Sequence, residues 1–148
     1  MTKDELTHLL QSEIPLCDFM QLVVTELTED SITTQAPILP NRNLHQTGFA
    51  GSLYALAAAT GWALVHHKML MVGAEGVLVV KTATIVYRRP VKADIRLTAE
   101  LSERQKTQPV LEQLRQNGKA EYPVTIYFES ANKRCGHLEA TYVFVAGH

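Results

Sequence analysis

The period of the hydrophobic positions changes along the chain, and each change marks an element. Leu6, Leu9 and Leu10 form an apolar stripe behind a Thr2/Glu5 capping-box pair, predicting a short N-terminal helix over residues 2–14 that stops before Pro15. Met20 to Leu27 and Ser31 to Ala36 are rich in Val, Thr and Ile and flank the polar Thr28-Glu29-Asp30, which reads as a hairpin ended by Pro37 and Pro40. From Leu53 to Val65 no residue is charged, and Ala55, Ala57, Ala58, Ala59, Gly61 and Ala63 dominate. A helix with no polar face is expected to be buried all round. Gly73 and Gly76 then flank a break before Val77 to Arg89, a run β-branched on both faces that reads as a central strand buried on two sides and closed by Pro90. Ala93, Ile95, Leu97, Ala99 and Leu101 alternate with Asp94, Arg96, Thr98 and Glu100, a strand with one wet face. Pro109 to Asn117 reads as a superficial amphipathic helix with Gly118 past its end. Val124, Ile126 and Phe128, then Leu138, Ala140, Tyr142 and Phe144, predict two more strands about a turn at Asn132 to Gly136.

Six strands and one long helix, with the late strands joined by short connections, define an α+β chain whose mostly antiparallel sheet curls round the apolar helix. The 148 residues, 46% of them hydrophobic, fit one domain spanning 1–148. Fourteen basic against fifteen acidic side chains create no net field for nucleic acid or an anionic membrane. Phe49 to Val65 is the only candidate membrane span; it falls short of about 20 residues and runs into His66, His67 and Lys68. Cys17 and Cys135 share no ligand spacing, and the charged N-terminus lacks an apolar signal region, so a reduced, cytoplasmic protein is expected. Adjacent His66 and His67 diverge by about 100° on a helix, and no metal site is expected.

Chemistry concentrates where the polar leader Asn43 to Gly51 meets the apolar helix, because free N–H groups at a helix start can receive a developing negative charge. The stretch NRNLHQTGFAGSLYALAAATGW, Asn41 to Trp62, together with YRRPV, Tyr87 to Val91, resembles the hotdog-fold thioesterases, and in particular the putative thioesterase family typified by the YiiD C-terminal domain. The resemblance covers nearly the whole chain. It implies a hotdog fold, a curved six-stranded sheet wrapped round a central helix, and a homodimer or dimer of dimers paired through the strand after that helix. Many thioesterases of this fold carry an Asn, a His-Gly-Gly turn and a helical acid. Aligning Gly51 with the second glycine of that turn places Asn43 at the Asn, Phe49 at the histidine and Ala58 at the acid. No carboxylate lies between Asp30 and Glu75.

Acyl thioester hydrolysis, on coenzyme A or an acyl-carrier protein, requires an oxyanion site, a water and a base, whereas a thiol of pKa about 8.5 leaves without much help. The Ala50 and Gly51 N–H groups are the oxyanion candidates, with Gly48 permitting close backbone approach. His45 is the candidate base, since imidazole titrates near about 6.5 when unperturbed, and Asn43 would orient the water or the carbonyl. Thr47, Gly48, Ser52 and Tyr54 are candidates to line the substrate. Arg88, Arg89 and Lys92 could receive the phosphates of coenzyme A or phosphopantetheine, which enters as part of the substrate; no separate cofactor is expected. Ser52 is disfavoured as a nucleophile because Ala50-Gly51-Ser52-Leu53-Tyr54 lacks the G-x-S-x-G elbow. Two other readings stand beside hydrolysis. One is a non-catalytic module that holds an acyl-CoA or acyl carrier. The other is a hydratase or dehydratase of the same fold, for which Asn41, Asn43 and His45 offer no acid.

Overall fold

Thr2 and Glu5 cap the first helix reciprocally, each backbone amide donating to the other's side chain at 3.0 and 3.1 Å, and α1 runs Lys3–Glu13. Pro15 opens a second, short helix, α2 (Pro15–Phe19), which the hydrophobic pattern does not announce. Gln21 then turns the chain at φ 58, so strand β1 (Val23–Leu27) begins later than the apolar run from Met20 suggests. Strand β2 (Ser31–Ala36) completes the hairpin, a 3-10 turn spans Leu39–Asn41, and α3 covers Ala50–Val72. Strand β3 (Gly76–Tyr87), β4 (Ile95–Glu100), the helices α4 (Glu103–Lys106) and α5 (Val110–Asn117), β5 (Lys119–Ser130) and β6 (Lys133–Ala146) follow. This computed structural model describes residues 1–147.

The six strands form one antiparallel sheet in the order β1-β2-β4-β5-β6-β3. Strands β5 and β6 are longer than the alternation predicts and meet at Ala131 and Asn132, whose φ values of 52 and 63 suit a two-residue hairpin turn. The sheet presents Leu97, Tyr122, Ile126, Leu138 and Tyr142, all buried, to the helix side. Gly61 permits the close approach: a Cβ there would sit 2.2 Å from Tyr142 Oη and 2.8 Å from Ile126 Cδ1. The Tyr142 hydroxyl donates to the Ala58 carbonyl at 2.7 Å, and Thr60 meets Thr34 at 2.8 Å. Near the far end of α3, buried Lys68 donates to Asp30 at 2.7 Å, Glu29 at 3.1 Å and the Lys106 carbonyl at 3.1 Å. Burial alone would push its ammonium down; the hydrogen bonds and charges of Asp30 and Glu29 together outweigh that and raise its pKa.

Two sequence expectations are corrected. Strand β3 lies at the edge of the sheet and not in its centre, with Val77 62% and Val79 47% exposed. Its β-branched composition reports an extended backbone that can pack on both faces, which does not say where in the sheet it lies. Helix α3 is not enclosed all round either. Leu53, Leu56, Ala57 and Leu64 are buried, yet Ala55, Ala58, Ala59, Trp62 and His66 are half-buried, and Tyr54, Leu70 and Met71 are exposed. Part of an apolar helix and an apolar strand edge are therefore both left open.

The chain covers its other free edges with side chains. Along β1, Gln11 of α1 donates to the Leu22 carbonyl at 2.9 Å, and the Val24 amide donates to Thr7 Oγ1 at 2.8 Å. Strand β4 pairs with β5 only over Ile126 to Glu129, so the first half of β5 overhangs. There Gln105 donates to the Pro123 carbonyl at 2.6 Å and Gln108 to the Glu121 carbonyl at 3.1 Å. Pro123 is tolerated because its missing N–H falls on this overhang.

Candidate active site

Asn41 fixes the loop before α3. It is fully buried, its Nδ2 donates to the Met20 carbonyl at 2.9 Å and the Pro37 carbonyl at 2.8 Å, and its own carbonyl accepts from Phe49 N at 2.8 Å. Its Oδ1 is buried with no partner among the described residues. Gly48 N donates to the Val91 carbonyl at 2.7 Å, and a Cβ on Gly48 would lie 2.9 Å from Val91 Cβ, so this loop sits directly on the segment that follows β3.

Between those clamps Asn43 organises the loop. Its Oδ1 accepts from the His45 amide at 2.8 Å and the Thr47 amide at 3.2 Å, and its Nδ2 donates to Thr47 Oγ1 at 2.9 Å. Both polar ends of the amide, and the Thr47 hydroxyl with it, are engaged within the loop. His45 is held exposed at the tip, its imidazole without a hydrogen-bond partner among the described residues.

Helix α3 begins without a side-chain cap: Phe49 is the N-cap residue, and the first intrahelical bond runs from Leu53 N to the Phe49 carbonyl at 3.0 Å. The N–H groups of Ala50, Gly51 and Ser52 thus face outward unpaired, at the positive end of a 23-residue helix. The Phe49 ring lies over Gly51, where a Cβ would be 2.6 Å from Phe49 Cε2. Tyr87, at the end of β3, donates its hydroxyl to the Ala50 carbonyl at 2.8 Å and so ties the strand to the helix start. Burial, and then neighbouring Tyr54, raise the Tyr87 pKa.

The structure therefore brings Asn43, His45, Thr47, Gly48, Ala50, Gly51, Ser52 and Tyr54 to one end of the molecule, with exposed Arg88, Arg89 and Lys92 just past Tyr87. Sequence reasoning passed over Asn41 and Tyr87 as site-building residues. The contact that reveals Tyr87 links the ends of two elements far apart in sequence, and only the fold supplies it. No carboxylate hydrogen-bonds His45 or the start of α3 among the described residues, and no group of three His, Cys, Asp or Glu is placed to hold a metal there. Nor is any helix among the described residues long and apolar enough to cross a membrane. A concavity of about 970 Å³ lies elsewhere, between α4, α5 and the β5 overhang, where its glutamines are already committed to the strand.

An antiparallel sheet curled about one long helix defines a hotdog fold. The chain belongs to the family described as putative thioesterase (yiiD_Cterm), whose model matches residues 3–146. It is similar to a putative thioesterase from Shewanella oneidensis, at 29% identity and TM-score 0.86 over 97% of this chain and 96% of that one. The fold is shared with a protein of unknown function from Chlorobaculum tepidum (22% identity, TM-score 0.90, 98% and 94% covered). It is shared too with a protein of unknown function, described as a probable thioesterase, from Pseudomonas aeruginosa (23%, 0.84, 99% and 97%).

Proposed function

We propose that this protein hydrolyses an acyl thioester carried on coenzyme A or on the phosphopantetheine of an acyl-carrier protein. The observation that carries this reading is the uncapped start of α3, where unpaired N–H groups stand beside a loop that displays a free imidazole. The thioester carbonyl would accept from the Ala50 and Gly51 amides. Water would attack the carbonyl carbon while His45 takes its proton, the new C–O bond forming as charge collects on the oxygen facing those amides. Collapse breaks the C–S bond, and the thiolate leaves and takes up the proton. Asn43 acts here by shaping the loop that presents His45. The open face of α3 would receive the acyl chain, and Arg88, Arg89 and Lys92 are the cations within reach of coenzyme phosphates.

We read the protein as a homodimer, because exposed Val77, Val79 and Val80 lie on the uncovered edge strand β3 and part of the apolar helix α3 is also left open. The two buried, unpaired cysteines suit a reducing, cytoplasmic setting. Thiol release from a panel of acyl-CoA substrates tests the activity. His45→Ala is expected to lower kcat by about 10²-fold with folding intact, and Ser52→Ala to do little. Full activity in His45→Ala with loss in Ser52→Ala or Tyr54→Phe would overturn the assignment. Binding without cleavage is the second reading, favoured by Ala58 where a helical acid would stand. Tight acyl-CoA binding with every substrate left intact would establish it.

A further inference from the structure

Leu44 and Leu39, 84% and 69% exposed, are the two most exposed large apolar side chains among the described residues, and both stand on the segment that leads into α3. Arg42 lies between them and donates to the Leu39 carbonyl at 3.1 Å. The segment is well held: Arg42 pairs with Gly48 in a short antiparallel bridge, Gly48 N donates to the Val91 carbonyl, and the Asn43 side chain locks the turn between them. These bonds set Lys92 beside the base of that turn, and the Arg88 and Arg89 amides both donate to the Cys135 carbonyl, at 2.8 and 3.0 Å. Residues 37–51 and 87–92 thus carry the cations Arg42, Arg88, Arg89 and Lys92 and no carboxylate. All four are exposed, and none is in an ion pair among the described residues. Asp94, just beyond, has one oxygen taken by the Ile38 amide at 2.9 Å. Since the whole chain is net -1, the remainder of it is acidic, and the positive field is confined to the end that holds the candidate site.

We propose that the acyl group reaches this site on an acidic carrier protein, which docks on Leu39 and Leu44 with Arg42, Arg88, Arg89 and Lys92 around them. This rests on the thioester reading above and chooses between its two forms of substrate. Coenzyme A would use the cations for its phosphates, but it gives two leucines held out in water nothing to meet. A carrier supplies both partners: apolar side chains near its phosphopantetheine for the leucines, and carboxylates for the cations. Apolar anchors ringed by complementary charge are the form that a specific protein contact takes. A lipid surface fits less well, because two leucine side chains hold fewer carbons than one myristoyl chain, which by itself binds only marginally. The acidic remainder of the chain turns an acidic carrier away from its other faces, so long-range attraction delivers it to the end where the Ala50 and Gly51 amides stand unpaired. Leu44 directly precedes His45, which places the docked carrier and the candidate base on consecutive residues.

The apo form of a fatty-acid acyl-carrier protein, which lacks the phosphopantetheine arm, reads docking apart from chemistry. It should bind the wild-type protein at low salt and let go as ionic strength rises. Arg42→Glu and Leu44→Ser, each checked for an unchanged melting curve, should weaken that binding about tenfold. In steady-state kinetics the same acyl group should be released from the loaded carrier with kcat/KM about tenfold above that from coenzyme A. Arg42→Glu should lower the carrier value about tenfold, through KM, and should move the value for acyl-pantetheine, which has neither carrier nor phosphate, several-fold less. Turnover of the coenzyme A thioester equal to or better than that of the carrier, or no binding of the apo-carrier, overturns the docking proposal and leaves hydrolysis standing. Apo-carrier bound in the charge-dependent way while no thioester is cleaved does the reverse: the hydrolase reading falls and the docking surface remains. Binding to phosphatidylglycerol vesicles but not to the carrier assigns this face to a lipid surface and refutes the proposal, as does carrier binding that Arg42→Glu and Leu44→Ser leave unchanged.

Discussion

Gly61→Ala tests the central contact of the fold. At an ordinary mid-helix position this change would stabilise by about 1 kcal/mol through helix propensity. Here the new methyl would fall 2.2 Å from Tyr142 Oη, 2.7 Å from its Cζ and 2.8 Å from Ile126 Cδ1, all far inside contact distance. Ile126 can yield by changing rotamer. Tyr142 cannot, because it is fully buried and its hydroxyl is fixed to the Ala58 carbonyl. Overpacking costs about 1–3 kcal/mol, and displacing that hydroxyl from its buried acceptor adds about 1–3 kcal/mol. After the propensity gain, a net loss of about 1–5 kcal/mol is expected in urea or thermal unfolding, where a typical domain holds about 5–15 kcal/mol. Repeating the substitution in Tyr142→Phe removes the closest atom, so the penalty should fall by about 1 kcal/mol or more in that background. An equal cost in both backgrounds, or a Gly61→Ala protein more stable than wild type, would refute the close approach of helix and sheet.

Tyr87→Phe should leave the melting temperature near wild type while lowering kcat several-fold, since it frees the start of α3; unchanged kinetics on an active substrate would remove Tyr87 from the site. Asn41→Ala should cost about 2 kcal/mol in chemical denaturation, because it strands the buried Met20 carbonyl and the half-buried Pro37 carbonyl. Lys68→Met should destabilise by about 3 kcal/mol at neutral pH, toward the low end for a broken buried pair because Glu29 stays half in water. The Lys68 pKa is raised on folding, so its stabilisation is complete below the unfolded value of about 10.4 and is lost as pH climbs through the folded value. The gap between wild type and Lys68→Met should accordingly narrow above that pH, and a gap that widens there would contradict the sign.

Strict alternation at Ala93 to Leu101 gives β4 in the structure, and the Thr2/Glu5 pair gives a real capping box. Local chemistry writes both patterns, and a single chain records local chemistry faithfully. The place of β3 in the sheet could not be read that way, because an edge awaiting a neighbour and a central strand bury the same kinds of side chain. The charge-free stretch Leu53 to Val65 misled for the same reason: its apolar stripe at Ala55, Ala58, Ala59 and Trp62 is only half-buried, which composition alone does not disclose. At the site, the residue types near Asn43 were visible, but the two anchors, Asn41 and Tyr87, act through the Met20, Pro37 and Ala50 carbonyls, and backbone acceptors leave no mark in sequence.

The glutamines that cover the β5 overhang have a consequence for synthesis. The chain is made from the N-terminus, so α4 and α5 leave the ribosome before the strand whose carbonyls Gln105 and Gln108 will occupy, as α1 leaves before β1. Each guard is waiting when its edge is born, and neither edge need meet a neighbouring nascent chain unshielded. Strand β3 has no such side-chain escort for its second half among the described residues, and under the dimer reading proposed above it emerges before anything covers it. Nascent chains halted far enough beyond Tyr87 for β3 to have cleared the exit tunnel should therefore be the length at which polysomes most readily cross-link to one another through engineered cysteines in β3, and full-length chains released from the ribosome should gain no further cross-links through β5.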